Sequence, residues 1–256
     1  MIELDPRAST AGVRLATHEV VSSTNAEALA RARQGERGPL WIAAGRQTAG
    51  RGRRGREWVS ELGNLYASLL LTDPALAEDW PQLSFVAALA IHDAVAEIAP
   101  ALKPNLAIKW PNDLLLSGEK FAGILIEGET GNDGVVVIGI GVNCARHPSP
   151  TDQPATDLAA AGASVTPQAL FRELSAKMLG RLAQWNRGEG FSTVRADWLA
   201  RAIGLGQHIV VRLPDRELAG IFEALDERGA LILRRSDGSA ATITAGDVVM
   251  PAGSPN

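Results

Sequence analysis

GRQTAGRGRRGREW, residues 45–58, is the stretch on which the fold turns. It sets Arg46, Arg51, Arg53, Arg54 and Arg56 among Gly45, Gly50, Gly52 and Gly55, and Trp58 closes it. Read literally, Gly50, Gly52 and Gly55 spell G-x-G-x-x-G, the fingerprint of a dinucleotide-binding βαβ unit. LWIAA (40–44) ahead of it reads as a strand, and Asp73 stands near the distance expected of a ribose-binding acid. The fingerprint, however, needs a helix opening at its last glycine and a crossover of about a dozen residues or more. Little more than EWVSELGN (57–64) separates Arg56 from the strand YASLLL, and Gly63-Asn64 breaks that piece. Arginines in the x positions would also crowd a helix N-terminus that is already positive. The Rossmann reading fails, and the stretch is a loop between two strands.

Glycines so spaced hold neither helix nor flat strand, but they let the backbone approach a ligand closely. The arginines add planar, permanently charged forks, so the loop suits a phosphate-bearing ligand. Self-repulsion and backbone entropy predict that it is mobile until a ligand is bound. A solvated surface loop and a Gly-Arg nucleic-acid segment are the competing readings. Against the second, the chain of 256 residues carries a net charge of −4, so the cationic site is local.

The length allows a large domain plus a small one, and 46% hydrophobic with 21% charged residues is ordinary globular composition. A single cysteine, Cys144, excludes an internal disulfide and fits a reducing compartment. The four histidines show no metal-ligand spacing. No leader segment or membrane-spanning apolar run is visible, so the cytoplasm is the expected location.

Along the chain, VVSSTNAEALARARQG (20–35) reads as a helix with Thr24 and Glu27 as a capping box, ended by Gly35. Ser23, Thr24 and Asn25 are either plain cap residues or a polar helix start facing a ligand. LWIAA, with Gln47 after it, and NLYASLLL (64–71) flank the basic loop. A buried helix, PQLSFVAALAIHDAVAEI, follows Asp79 and carries His92 as a packing residue. In LAIKWPNDLLLSGEKFAGILIE (106–127), a strand stops at Pro111 and a hairpin begins at Asn112-Asp113. Lys120 there reads, on its own, as a turn lysine. VVVIGIGVNC (135–144) is a strand ending in Gly139, Gly141 and Asn143. Residues 145–165 read as a long loop of the kind that forms lids. A helix with an apolar stripe from Leu170 to Trp185 is ended by Gly188 and Gly190, and another is expected over 191–202. After Gly204, short strands spaced by turns predict a small all-β barrel.

Taken together, SSTNAEA (22–28), QTAGRGRRGREW (47–58), KWPNDLLL (109–116), KFAGILIE (120–127) and GIGVN (139–143) resemble the biotin protein ligases, or biotin–[acetyl-CoA-carboxylase] ligases. PATDL (154–158) and DERGALIL (226–233) match more loosely. The resemblance implies an α+β fold: a class II synthetase-like mixed sheet flanked by helices (1–203) and a C-terminal SH3-like β-barrel (204–256). It implies that biotin's carboxylate attacks the α-phosphate of ATP, with Mg2+, to give biotinyl-5′-AMP. A lysine of a biotin carboxyl carrier domain then takes the acyl group.

The resemblance also assigns residues. Ser23, Thr24, Asn25 and Gln47 should bind the ureido end of biotin. Gly50, Arg51, Gly52, Arg53 and Lys120 should wrap its carboxylate and the phosphate. Arg53, Arg54, Arg56, Trp58, Asn112 and Asn143 are expected at ATP or the adenylate, with Trp58 against adenine. Arg51, Arg53, Lys120 and Asp113 are the candidate catalytic residues. Asn112 and Asp113 stand as metal ligands, phosphate ligands or polarisers of the incoming lysine, with the choice open. Too little chain precedes Ser22 for the winged helix of repressor relatives, so no DNA partner and no membrane are expected; a homodimer stays open. A lipoate or octanoate ligase is the enzymatic rival, but its Arg-Arg-x-x-Gly-Gly signature is absent. A nucleic-acid-binding module is the rival of another class.

Overall fold

The computed structural model describes residues 2–131, 134–149, 151 and 153–250. Residues 150 and 152 of the anticipated lid and 251–256 of the anticipated barrel lie outside them. Helix α1 (Pro6–Thr10), strand β1 (Arg14–Val21), helix α2 (Thr24–Arg33), β2 (Leu40–Gln47) and β3 (Leu65–Thr72) come first. Helix α3 (Leu83–Ile98), β4 (Leu106–Lys109), β5 (Asp113–Leu116), β6 (Glu119–Glu129) and β7 (Val135–Val142) follow. Helices α4 (Pro167–Trp185) and α5 (Phe191–Leu199) lead to β8 (His208–Arg212), β9 (Glu217–Leu225), β10 (Leu231–Arg234), β11 (Ala240–Ile243) and β12 (Asp247–Val249).

Strands β1 to β7 form one mixed sheet in the order β1-β2-β3-β7-β6-β5-β4, parallel only at β1–β2. Alternation along the strands sorts the two faces. Trp41, Ala43, Leu69 and Ile138 join α3 and α4 in the main core, whereas Leu40, Ile42, Leu70 and Val137 meet α2. The α2 face continues through Ser68, Gly139 and Leu125, and then Gly141 and Gly123, in register across three strands. That bare, glycine-rich surface becomes the floor of the site.

Strands β8 to β12 make a five-stranded antiparallel sheet in the order β11-β10-β9-β8-β12. It packs on the larger unit: Trp110 Nε1 donates to the Gly229 carbonyl at 3.0 Å. A Cβ at Gly229, φ +86°, would fall 2.7 Å from Phe85.

Three local expectations change. Ser23, not Thr24, caps α2, its hydroxyl accepting from the Ala26 N–H, which frees Thr24 and Asn25 for other work. Glu27 pairs with Arg31 one turn on. Helix α4 is closed by Asn186 in the left-handed region rather than by a glycine. Strand β1 has no counterpart in the sequence reading; it is a half-exposed edge strand whose apolar alternation is too weak to announce it.

Candidate active site

At the N-terminus of α2 the exposed backbone donors of a helix start meet polar side chains from β2 and β3. Gln47 Oε1 accepts from the Thr24 N–H at 2.8 Å, and Gln47 Nε2 donates to Ser60 Oγ at 3.0 Å. Ser68, fully buried, places Oγ 2.7 Å from Thr24 Oγ1 and 2.6 Å from Asn25 Oδ1. Proton counting orders this chain. The amide oxygens of Asn25 and Gln47 can only accept, so Ser68 donates to Asn25, and the single proton of the Thr24 hydroxyl is divided between Gln47 Oε1, 3.1 Å away, and Ser68. The Asn25 amide nitrogen then donates to Glu127 Oε2 at 2.8 Å. A Cβ on Gly139 would lie 2.3 Å from Asn25 Oδ1, so glycine is what admits the amide. The result is a buried cluster of neutral side chains, held by rigid elements and anchored on the Glu127 carboxylate. Ser68 escaped the sequence reading; its one signal was a serine interrupting an apolar strand.

The basic loop lies at the other end and is drawn into a defined shape by its contacts. Arg51 and Glu57 form a β-bridge, and a single 3-10 turn spans Arg53–Gly55. Partners distant in sequence hold the arginines. Arg51 Nη2 donates to Glu127 Oε1 at 3.1 Å, and Arg53 Nη1 to Asn112 Oδ1 at 2.9 Å. Arg54 and Arg56 meet Asp247 of the C-terminal sheet at 3.2 and 3.0 Å. Burial pulls Arg53 below the ordinary arginine value, against the attraction of Asp247 and Asp113. Gly50 has no room for a side chain, since a Cβ would lie 2.5 Å from the Trp58 carbonyl oxygen.

Between the ends, Trp58 lies on the glycine floor: a Cβ on Gly141 would meet its indole at 2.5 Å and one on Gly123 at 3.0 Å. Lys120 Nζ stands 5.5 Å from the centroid of the Trp58 ring, within cation–π range. The same ammonium is 2.6 Å from Asp113 Oδ1, while Lys109 Nζ is 3.4 Å from Oδ2. Burial raises the Asp113 carboxyl, but Lys120 and Lys109 outweigh it and hold it below the usual carboxylate value. Burial lowers Lys109, opposed by Asp113. Asn143 Nδ2 donates to the Thr156 carbonyl at 3.0 Å, and Lys120 bridges to Ala155, so residues 154–156 are tied along β6.

These groups converge on one cavity of about 410 Å3, a size that suits a small ligand. Of the expected residues, Ser23, Thr24, Asn25, Gln47, Arg51, Gly52, Arg53, Arg56, Trp58, Asn112, Lys120 and Asn143 line it. Gly50, Arg54 and Asp113 do not. The metal-ligand expectation for Asn112 and Asp113 needs correction. The Asp113 carboxylate is buried between two ammonium groups, and Asn112 spends its amide oxygen on Arg53. That set does not fit a directly held Mg2+. Its chemistry is to fix the two lysines.

The profile described as the biotin/lipoate A/B protein ligase family matches residues 17–143, and the biotin protein ligase C terminal domain matches 204–250. A biotin--[acetyl-CoA-carboxylase] ligase of Paracoccus denitrificans is 46% identical over 220 residues, 83% of this chain and 90% of that protein. The enzyme of that name from Mycobacterium tuberculosis is 35% identical over 239 residues, 89% and 85%. The structure of the biotin protein ligase from Aquifex aeolicus in complex with biotin and ATP superposes with a TM-score of 0.75 at 25% identity. It covers 92% of this chain and 97% of that one.

Proposed function

The chain belongs to the biotin/lipoate A/B protein ligase family, and we propose that its cleft assigns biotin and ATP to opposite ends of one cavity. The chain is a ligase: it activates biotin as biotinyl-5′-AMP and transfers it to a lysine of the carrier domain of acetyl-CoA carboxylase. One observation carries the placement: a neutral hydrogen-bonding cluster and a cationic loop face each other across a glycine floor.

A ureido group offers two N–H donors and one carbonyl, with no charge, and matches the Ser23, Thr24, Asn25 and Gln47 end. Its carboxylate then points along the floor toward Lys120, Arg51 and Arg53. In the first step a carboxylate oxygen bonds to the α-phosphorus and the bond to pyrophosphate breaks. Both reactants are anions, so the residues' part is to bring them together and to neutralise the charge between them. A charge pair at ~4 Å is worth on the order of 4 kcal/mol near a surface, so several such groups outweigh the repulsion. In the second step the carrier amine attacks the acyl carbon, loses a proton, and AMP leaves. Trp58 and the 145–165 segment cover the mixed anhydride and keep water from it. ATP enters as its Mg2+ complex with the metal on the phosphates; no role at Asn112 or Asp113 is assigned to it.

We further place the enzyme in the cytoplasm, acting without DNA, with its two units dividing near Gly204; no helix among the described residues is long and apolar enough to cross a membrane. Incubating the chain with a carrier domain, ATP and either biotin or lipoate, with mass spectrometry of the carrier, tests the reading. A mass gain with biotin alone is expected. Gain with lipoate instead would replace this reading by the lipoate ligase, and no gain with either would remove the enzymatic one.

A further inference from the structure

Three guanidinium groups of the basic loop converge on one carboxylate in the other structural unit. Asp247 Oδ1 is 3.0 Å from Arg56 Nη2 and 3.9 Å from Arg53 Nη1, and Oδ2 is 3.2 Å from Arg54 Nη1. The Arg53 guanidinium also donates to the Gly246 carbonyl at 3.3 Å, so adjacent residues of the C-terminal sheet grip the loop at two points. Asp247 sits at the start of β12, whose pairing with Arg212 on β8 fixes its backbone. Its side chain is 20% exposed, against 34% and 51% for Arg54 and Arg56.

We propose that Asp247 is a positioning residue for nucleotide binding: it holds the arginine loop in a shape that receives the ATP phosphates and touches no substrate itself. The inference rests on the assignment of this loop to the phosphates. One carboxylate cancels one of three positive charges, so the cluster keeps two for an anion. Without it, three like charges on a glycine-rich segment repel one another, and the ordering falls on the nucleotide. Arg53 and Arg56 line the cavity, while Arg54 does not and is paired with Asp247. That division is what a positioning contact requires: part of the arginine set is spent on the anchor and part is left for the ligand. The head-group cluster shares no contact with Asp247, so the effect should spare biotinol, the alcohol analogue that lacks the carboxylate by which biotin reaches Arg53.

The experiment is steady-state pyrophosphate release by the full chain, varying ATP and biotin separately, with direct titration of biotinol. Asp247→Ala should raise the KM for ATP on the order of tenfold, the loss typical of a bond to a charged group, and leave the biotinol Kd within about twofold. Asp247→Glu should restore most of the loss. An unchanged or lower KM for ATP would overturn the proposal, because Asp247 would then be idle or a competitor of the phosphates. Equal weakening of ATP and biotinol would also overturn it, since the residue would only be supporting the fold. If Asp247→Ala fails to fold, Asp247→Asn, which keeps the shape without the charge, is judged by the same criteria. Arg53→Ala in the same assay separates the two levels. If it leaves ATP binding intact, the loop is not the phosphate clamp. If it weakens ATP while the Asp247 variants do not, only the positioning role falls.

Discussion

The two ends of the cleft are built on different principles. The end proposed for biotin presents neutral side chains buried on a helix start and sheet strands: Thr24, Asn25 and Ser68 are each at most 4% exposed, and Glu127 links Asn25 there to Arg51 of the loop. The phosphate end is charged, half-exposed and made from a loop whose arginines rely on Glu127, Asn112 and Asp247. A neutral head group gains little from free charge and much from fixed geometry, because a buried donor left unpaired costs more than a made bond returns. A polyanion tolerates looser geometry, since Coulomb attraction falls slowly with distance. The first end is therefore expected to discriminate, and the second to supply the driving force for adenylation.

The largest effect should come from the group that joins the ends. Lys120→Ala removes an ammonium 2.6 Å from Asp113 and beside Trp58. Adenylate formation should fall on the order of 10²–10³-fold, the usual loss when a transition-state donor is deleted. Single-turnover pyrophosphate release checks this, and a wild-type rate would reduce Lys120 to a surface lysine.

Next is the buried triad under that lysine. Asp113→Ala leaves Lys109 buried without its countercharge and should cost roughly 3 kcal/mol of stability at neutral pH. The carboxyl's pKa is depressed below its unfolded value of 3.8, so its contribution is complete above that value and is lost as pH falls through the folded one. Denaturant titrations should show the gap between wild type and variant closing below pH 3.8. Lys109 has the opposite effect at high pH. Burial lowers it from 10.5, so the folded state carries a penalty at neutral pH that is relieved as pH rises from the lowered value to 10.5.

Ser68→Ala tests the neutral end directly. Asn25 would lose the donor that fixes its amide, so the KM for biotin should rise on the order of tenfold, one hydrogen bond to a buried group, while kcat and the KM for ATP stay put. A kcat loss of equal size would mean that Ser68 supports the sheet rather than the head-group site.

How much of this could be read from the chain follows the same division. The cavity-lining residues of SSTN, QTAGRGRRGREW, KWPND and GIGVN were legible because each motif packs unusual residues into a few positions. The strand pattern placed β2, β3, β6 and β7 for the same reason, since their apolar runs are strong. Strand β1 was not legible, because an edge strand carries little periodicity. Ser68 and Asp247 were not either. Each acts through a partner far away in sequence, and a serine in an apolar strand or an aspartate after a glycine announces nothing until the fold brings the partner close. The loop's shape was missed because the five arginines looked unpaired, and the carboxylates that hold it lie beyond residue 126. The role of Asp113 stayed open because the lysines on either side of it, Lys109 and Lys120, reach it only through the β4–β5 and β5–β6 pairings.

The smallest effect separates the two ends without any mutation. Added salt screens exposed charges, with a Debye length of roughly 10 Å at 0.1 M and 3 Å at 1 M, but leaves buried neutral hydrogen bonds almost untouched. Arg51 and Arg56 are 47% and 51% exposed, so the phosphate end should be sensitive. Biotin itself would blur the test, because its carboxylate reaches the arginines. Biotinol, with an alcohol in place of the acid, reports the neutral end alone. Between about 0.05 and 0.5 M sodium chloride the Kd for ATP should rise roughly three- to fivefold, while that for biotinol stays constant. The contacts of Arg51 with Glu127 and of Arg54 and Arg56 with Asp247 are screened by the same salt, which frees the arginines and trims the change. That compensation is why the expected rise is only a few-fold. If biotinol weakens in parallel with ATP, the head-group site depends on charge after all, and the contrast between a geometric end and an electrostatic end fails.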